Sequence, residues 1–200
     1  MDKHHIHPIF DKILSREVKE TQLKQKATVV WLTGLSGSGK STIAQALERQ
    51  LFDQGFVTML LDGDNIRTGL GNNLGFSVED RQENIRRIAE AAKLFLSCGV
   101  VTLCSFVSPT REIRDMARNI IGPADFKEVY VNAPLEVCES RDVKGLYKKV
   151  RAGEIKDFTG IDSPFEAPLH PFLEIKTDQQ ELIESSSMLL EALLPIISRD

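Results

Sequence analysis

The chain is poor in cysteine. Its three residues, Cys98, Cys104 and Cys138, are odd in number and show no CxxC spacing. That excludes a disulfide framework and a cysteine zinc site, and free thiols point to a reducing compartment. Cys98 and Cys104 stand in apolar surroundings and are expected to be small buried hydrophobes. No apolar run approaches the length of a membrane span, and the opening "MDKHHIHPIFDKIL" lacks the apolar centre of a secretion signal. The cytoplasm is therefore the expected compartment. Positive charge is not in surplus either: 25 basic against 29 acidic residues leave a formal net charge of -4. No global field exists to hold nucleic acid or an anionic membrane, so an anionic ligand has to be gripped locally. His4, His5 and His7 have no second set of ligands nearby and read as a solvated or substrate-flanking arm.

What is present suffices for one core. Two hundred residues with 42% hydrophobic content fit a single domain. Residues 8–26 read as an amphipathic helix carrying Ile9, Ile13 and Leu14, followed by a charged connector. "TVVWLT", "GFVTMLLDGD", "VVTLCSFVS", "FKEVYVNAP" and "FLEIKT" read as five strands, the first three as buried runs and the fourth as alternating. Between them lie helical patterns: Ile43, Ala44, Leu47 and Leu51; "VEDRQENIRRIAEAAKLFLSCG", stopped by Gly99; a basic helix opened by Pro109 and ended at Gly122; and a short "LEVCESRD". A last helix follows Asp178, which is expected to cap it. Strands separated by helices imply a parallel sheet between helical layers, since parallel pairs need crossovers. The stretch "VKGLYKKVRAGEIKDFTGIDSPFEAPLHP" loses periodicity and collects Lys, Arg, Gly and Pro, which suggests a lid over residues 143–170. Residues 1–27 form an arm and helix, and 28–200 the main domain.

Residues 34–41, "GLSGSGKS", match G-x-x-x-x-G-K-[ST] in full, between a strand and a helix as the motif requires. Gly34, Gly37 and Gly39 let the backbone of Leu35, Ser36 and Ser38 curl so that N–H groups face phosphate oxygens. The helix that follows, with Thr42 in its first turn, adds its positive end. Lys40 is placed to neutralise the β and γ phosphates of ATP, and Ser41 to set its hydroxyl on Mg2+. The alternative, a glycine-serine turn with a surface lysine, does not need the context found here. A P-loop serves kinases, GTPases and motors alike. The place where a G-protein carries its guanine-reading motif reads "YVNAPLEV", and little chain is left for a mechanical ATPase, so a small-molecule kinase fits best.

On the acceptor side, "LDGDNIR" sets Asp62 and Asp64 at the carboxyl end of the second strand, where open α/β sheets bind ligands. Their spacing suggests that they point differently, one toward metal and its waters, the other toward a substrate hydroxyl. An Asx-turn at Asp62 is the plain alternative. Arg67, Arg81 and Asn84, with Phe76, suit an anion joined to a flat ring, because arginine forks grip phosphate or sulfate and an exposed ring stacks a base. Lys144, Lys148, Lys149, Arg151 and Lys156, beside Phe158, would fold down over phosphates and exclude water.

"GLSGSGKST", "LDGDNIR", "LGFS", "DRQENIRR", "FVSPTREIR", "KGLYKKVRAGEIKDFTGID" and "FEAP" stand in order along the chain. Together they resemble the adenylylsulfate (APS) kinase family, over about residues 5–195. The resemblance implies a three-layer P-loop kinase fold and phosphorylation of the 3'-hydroxyl of adenosine 5'-phosphosulfate by ATP with Mg2+. It further implies a homodimer, with neither nucleic acid nor membrane as a partner, and the stand-alone form of the enzyme. It puts the phosphosulfate against Asp64, Asn65, Arg67, Phe76, Arg81, Asn84, Val107, Ser108, Lys144 and Phe158, with the two rings around its adenine. ATP phosphates would lie on Gly34 through Ser41, with Asp62 close to the metal. The family pattern marks Ser108 as a phosphoserine intermediate, whereas in-line transfer with Asp64 orienting the hydroxyl needs only positioning. Ser105 is a competing phosphosite. Thr68, Asn73 and Val150 depart from the pattern without touching an implied ligand.

Overall fold

The computed structural model describes residues 5–9 and 11–199. His4 lies outside them, while His5 and His7 are exposed. The elements in order are α1 Arg16–Leu23, β1 Val29–Thr33, α2 Lys40–Asp53, β2 Thr58–Asp62, α3 Gly63–Thr68, α4 Val78–Ser97 and β3 Val101–Ser105. They continue with α5 Arg111–Ile121, β4 Phe126–Asn132, α6 Leu135–Arg141, α7 Leu146–Arg151, β5 Leu173–Lys176 and α8 Leu182–Ile197. The five strands make one parallel sheet in the order β2-β3-β1-β4-β5.

Every residue of the central β1 is buried, as a near-continuous apolar strand in a covered parallel sheet must be. Its side chains alternate between two cores. Val29 and Trp31 join Ile88, Ala92, Phe106, Ile113 and Phe126 under α4 and α5. Val30 and Leu32 join Ile43, Leu47, Leu103, Val129, Leu189 and Leu193 under α2 and α8. Each such large side chain contributes about 1.5–3 kcal/mol on burial. The chain leaves β1 toward one layer and the adjacent β3 toward the other, and the carboxyl ends of these two strands therefore open a crevice.

Several expectations are corrected. Among the described residues of the stretch 8–14 there is no helix, and Ile9, Ile13 and Leu14 are exposed; the first helix lies in the supposed connector. Ser15 caps it, and it docks through polar groups: Arg16 grips both oxygens of Asp125 at 2.7 and 2.9 Å, and Glu20 accepts from the Ala27 N–H at 2.8 Å. β2 is an edge strand with only Leu61 buried. Helix α5 starts after Thr110, whose side chain accepts from the Ile113 N–H, two residues beyond the start expected at Pro109. Glu181, not Asp178, precedes α8, and it makes no side-chain cap. Cys98 is exposed because it caps the carboxyl end of α4, whereas Cys104 and Cys138 are buried. The presumed lid contains the helix α7. Its far end is anchored: Glu166 N–H donates to the Pro109 carbonyl at 2.8 Å, and Arg111 N–H donates to the Glu166 carboxylate at 2.7 Å. Phe165 also stacks on Tyr130.

Candidate active site

The loop between β1 and α2 can curl as tightly as it does because Gly34 and Gly37 carry no side chain. A Cβ at Gly34 would stand 2.3 Å from the Val131 carbonyl oxygen, and one at Gly37, where φ is +77°, 2.7 Å from that of Cys138. Gly39 then leads into α2, whose first residue is Lys40. The Lys40 ammonium donates to the Leu35 carbonyl at 2.7 Å inside the loop. Burial lowers its pKa to about 8, the nearby Lys144 charge adding to the effect. Beside it the Ser41 hydroxyl donates to Asp62 Oδ2 at 2.6 Å and lies 3.2 Å from the Ser105 hydroxyl.

Asp62 works twice. Its second oxygen accepts from the Asp64 N–H at 3.1 Å and caps α3, so the Asx-type turn and the approach to Ser41 coexist. The Asp64 carboxylate instead forms an ion pair with Lys144. The two acids therefore do point differently.

Ser36, Gly37, Gly39, Lys40, Ser41 and Thr42 line one end of a cleft of about 1240 Å3; Arg67, Phe76, Arg81, Asn84 and Phe158 line the other. That exceeds the ~300–1,000 Å3 of a single-ligand pocket, leaving room for two ligands. Phe76 is 64% exposed, with the Arg67 guanidinium 4.2 Å from its ring centre. Arg67 donates to the Gly75 carbonyl at 2.9 Å, and Arg81 to that of Phe76 at 2.8 Å. Burial lowers the pKa of both arginines, and for Arg67 the facing Arg81 charge lowers it further, which favours a bound anion between them. The Asn84 side-chain oxygen is buried without a hydrogen-bond partner. It packs against Gly71, where an added Cβ would stand 2.4 Å from it.

Val107 and Ser108 follow β3 and line the middle of the cleft. The Ser108 hydroxyl is turned inward, accepting from the Trp31 indole N–H at 3.0 Å and donating to Thr33 Oγ1 at 3.1 Å. The lid segment is drawn across the cleft: besides Lys144 to Asp64, Arg81 reaches the Asp157 carbonyl at 2.8 Å and the Thr159 hydroxyl at 3.3 Å.

Asn65 is exposed on α3 and is not among the residues lining the cleft. Gly34, Leu35 and Ser38 shape the loop from behind. Arg141 and Thr177 were not foreseen. Arg141 donates to the Thr177 carbonyl at 2.6 Å and hydroxyl at 3.0 Å, and Thr177 donates to the Ser38 carbonyl at 2.8 Å, a clamp on the phosphate loop whose two residues also line the cleft. The only sequence cue was an arginine before the helix-capping Asp142.

Residues 26–176 match the family model for adenylylsulphate kinase. The chain is similar to an adenylyl-sulfate kinase of Bacteroides fragilis, 58% identical over 99% of this chain and 98% of that one. It is 59% identical to another from Phocaeicola vulgatus, over 100% of this chain and 98% of the relative. Among solved structures, a Mycobacterium tuberculosis APS kinase in complex with AMPPNP and APS superposes with a TM-score of 0.81 at 46% identity, covering 84% of this chain and 98% of that one. A hexameric APS kinase from Thiobacillus denitrificans gives 0.66 at 30% identity, over 86% of this chain and 30% of that one.

Proposed function

The chain belongs to the adenylylsulphate kinase family, and from that premise we propose that its cleft carries the γ-phosphoryl group of ATP to the 3'-hydroxyl of adenosine 5'-phosphosulfate. The 3'-oxygen attacks the γ-phosphorus, the bond to the bridging oxygen of ADP breaks, and the hydroxyl proton passes to Asp64 and then to solvent. The products are ADP and 3'-phosphoadenylyl sulfate. What supports the reading is one juxtaposition: a phosphate loop with Lys40 and the Ser41–Asp62 pair at one end, and an exposed ring flanked by Arg67 and Arg81 at the other.

Lys40 and the loop amides hold the donor phosphates, and the positive end of α2 points at them. Among the described residues no cluster of three potential metal-ligating side chains exists. That fits Mg2+, which keeps most of its waters and binds through one or two protein groups plus phosphates. Ser41 and Asp62 are the two that would hold it, and the ion would spread the charge that builds on the phosphoryl oxygens. Asp64 orients the acceptor once the acceptor displaces Lys144, whose ammonium is then free for the transferring phosphoryl. Phe76 and Phe158 hold the adenine, and Arg67 and Arg81 the phosphosulfate. Transfer is direct, because the Ser108 hydroxyl has both its proton and a lone pair engaged inside the protein. The segment 143–163 closes over the reactants, its far end being held by Glu166.

We assign a homodimer on family grounds, and sedimentation equilibrium tests it: a monomer at micromolar concentration overturns it. A reducing cytoplasm is in keeping with the three unpaired cysteines; among the described residues no helix is long and apolar enough to cross a membrane. The deciding experiment incubates the protein with ATP, Mg2+ and adenosine 5'-phosphosulfate, with AMP as a control acceptor. ADP and the 3'-phosphorylated product are expected in equal amounts, with AMP a poor acceptor. No product above background refutes the activity, and AMP serving equally well refutes the acceptor.

A further inference from the structure

A small third core lies apart from the two faces of the sheet. Cys138 and Tyr147 are buried in it, with Leu35 of the phosphate loop and Phe158 and Ile161 of the lid packed against them. Tyr147 is 1% exposed. Its hydroxyl donates to the Ser36 carbonyl of the phosphate loop at 2.8 Å. Its ring meets Phe158 edge-on, with centroids 5.1 Å apart at 74°. Asp142 fixes the start of α7 by accepting from the N–H groups of Tyr147 and Lys148, each at 3.0 Å. Loop and lid touch at a second point, where a Cβ on Gly160 would stand 2.8 Å from the Leu35 side chain.

These contacts run from one end of the cleft to the other. Ser36 belongs to the loop that wraps the donor phosphates, and Phe158 lines the acceptor end. We propose that Tyr147 is a positioning residue that couples the two substrate sites: a donor seated in the loop fixes the Ser36 carbonyl, and through the Tyr147 ring the attitude of Phe158, so each substrate tightens the other. The inference rests on the donor and acceptor assignments above. Coupling of this kind is reciprocal, so it can be read from either ligand. Tyr147→Phe removes the hydroxyl alone and leaves the edge contact with Phe158.

The test is calorimetric titration of adenosine 5'-phosphosulfate into the full chain, with and without saturating AMPPNP and Mg2+. In the unaltered protein the analogue is expected to tighten the acceptor. In Tyr147→Phe that ratio is expected to fall about fivefold, or to one, as loss of one net hydrogen bond implies. A purely packing role would move melting temperature and both affinities while leaving the ratio unchanged. An unchanged ratio in the variant, or a ratio of one in the unaltered protein, overturns the inference and leaves the kinase reading standing. Absence of acceptor binding with or without the analogue overturns that reading itself, and the inference with it. Should Tyr147→Phe not fold, Tyr147→Met, which fills the same core without a hydroxyl to reach the Ser36 carbonyl, takes its place with the same expected and overturning results.

Discussion

The indole N–H of Trp31 donates to the Ser108 hydroxyl at 3.0 Å, where the two residues are 0% and 2% exposed. The Ser108 hydroxyl donates onward to Thr33 Oγ1, and Thr33 to the Val107 carbonyl at 2.7 Å. The chain of bonds engages the hydroxyl in holding the turn after β3. Ser108→Ala is therefore expected to keep measurable turnover and to form no phosphoserine under ATP. It strands the indole N–H, so urea unfolding should report a loss of about 1–3 kcal/mol. Abolished turnover with acceptor binding intact would instead establish the covalent route.

The Ser41–Asp62 pair makes a separate prediction. Asn can cap a helix as Asp does, so Asp62→Asn keeps the start of α3 while removing the charge beside Ser41. The Mg2+ concentration needed for half-maximal rate should rise about 10–100-fold, the range for losing one group that supports a metal. Initial rates across a Mg2+ titration check this; an unmoved requirement would take Asp62 out of the metal's surroundings.

How much of this was legible in the sequence divides along one line. The phosphate loop was, because its chemistry sits in eight consecutive residues with a strand before and a helix after. So were Asp62 and Asp64, and the five parallel strands. Pairs made by folding were not: Arg141 with Thr177, Tyr147 with Ser36, Arg114 with Glu128. The short helices α3 and α7 escaped too. Six residues leave no periodicity to read, and both starts are held by side chains, Asp62 and Asp142, that also read as turn formers. Helix α1 was misplaced because Ile9 and Ile13 drew attention, while docking is done by Arg16 and Glu20.

Arg114 and Glu128 carry the largest expected stability effect. Their side chains are 2% and 7% exposed and meet at 2.6 Å. Arg114 also donates to the carbonyls of Ser108 and Glu166, at 2.7 and 2.6 Å, tying the cleft turn to the far end of the lid. Glu128→Gln leaves a buried guanidinium without its counter-charge, and breaking such a pair costs about 3–5 kcal/mol. Denaturant unfolding measures it; a loss below about 1 kcal/mol would mean that water and the Ser108 and Glu166 carbonyls satisfy the guanidinium by themselves.

The last prediction concerns pH and follows from Lys40, whose pKa burial lowers to about 8 from an ordinary 10.5. The unfolded chain binds more protons than the folded one between these values, so this group's contribution to stability rises with pH from about 8 to 10.5, and its burial cost is fully present below 8. Donor binding runs the other way. Phosphates favour the ammonium, so the pKa rises when ATP binds and a proton is taken up. KM for ATP should then be flat below about pH 8 and climb by up to tenfold per pH unit above it. Near pH 8, calorimetry with MgATP in two buffers of different ionisation enthalpy should report uptake of about half a proton. Lys40→Arg keeps its charge throughout, so whatever affinity it retains should lose this dependence. The same climb in KM in Lys40→Arg would assign the titration to another group.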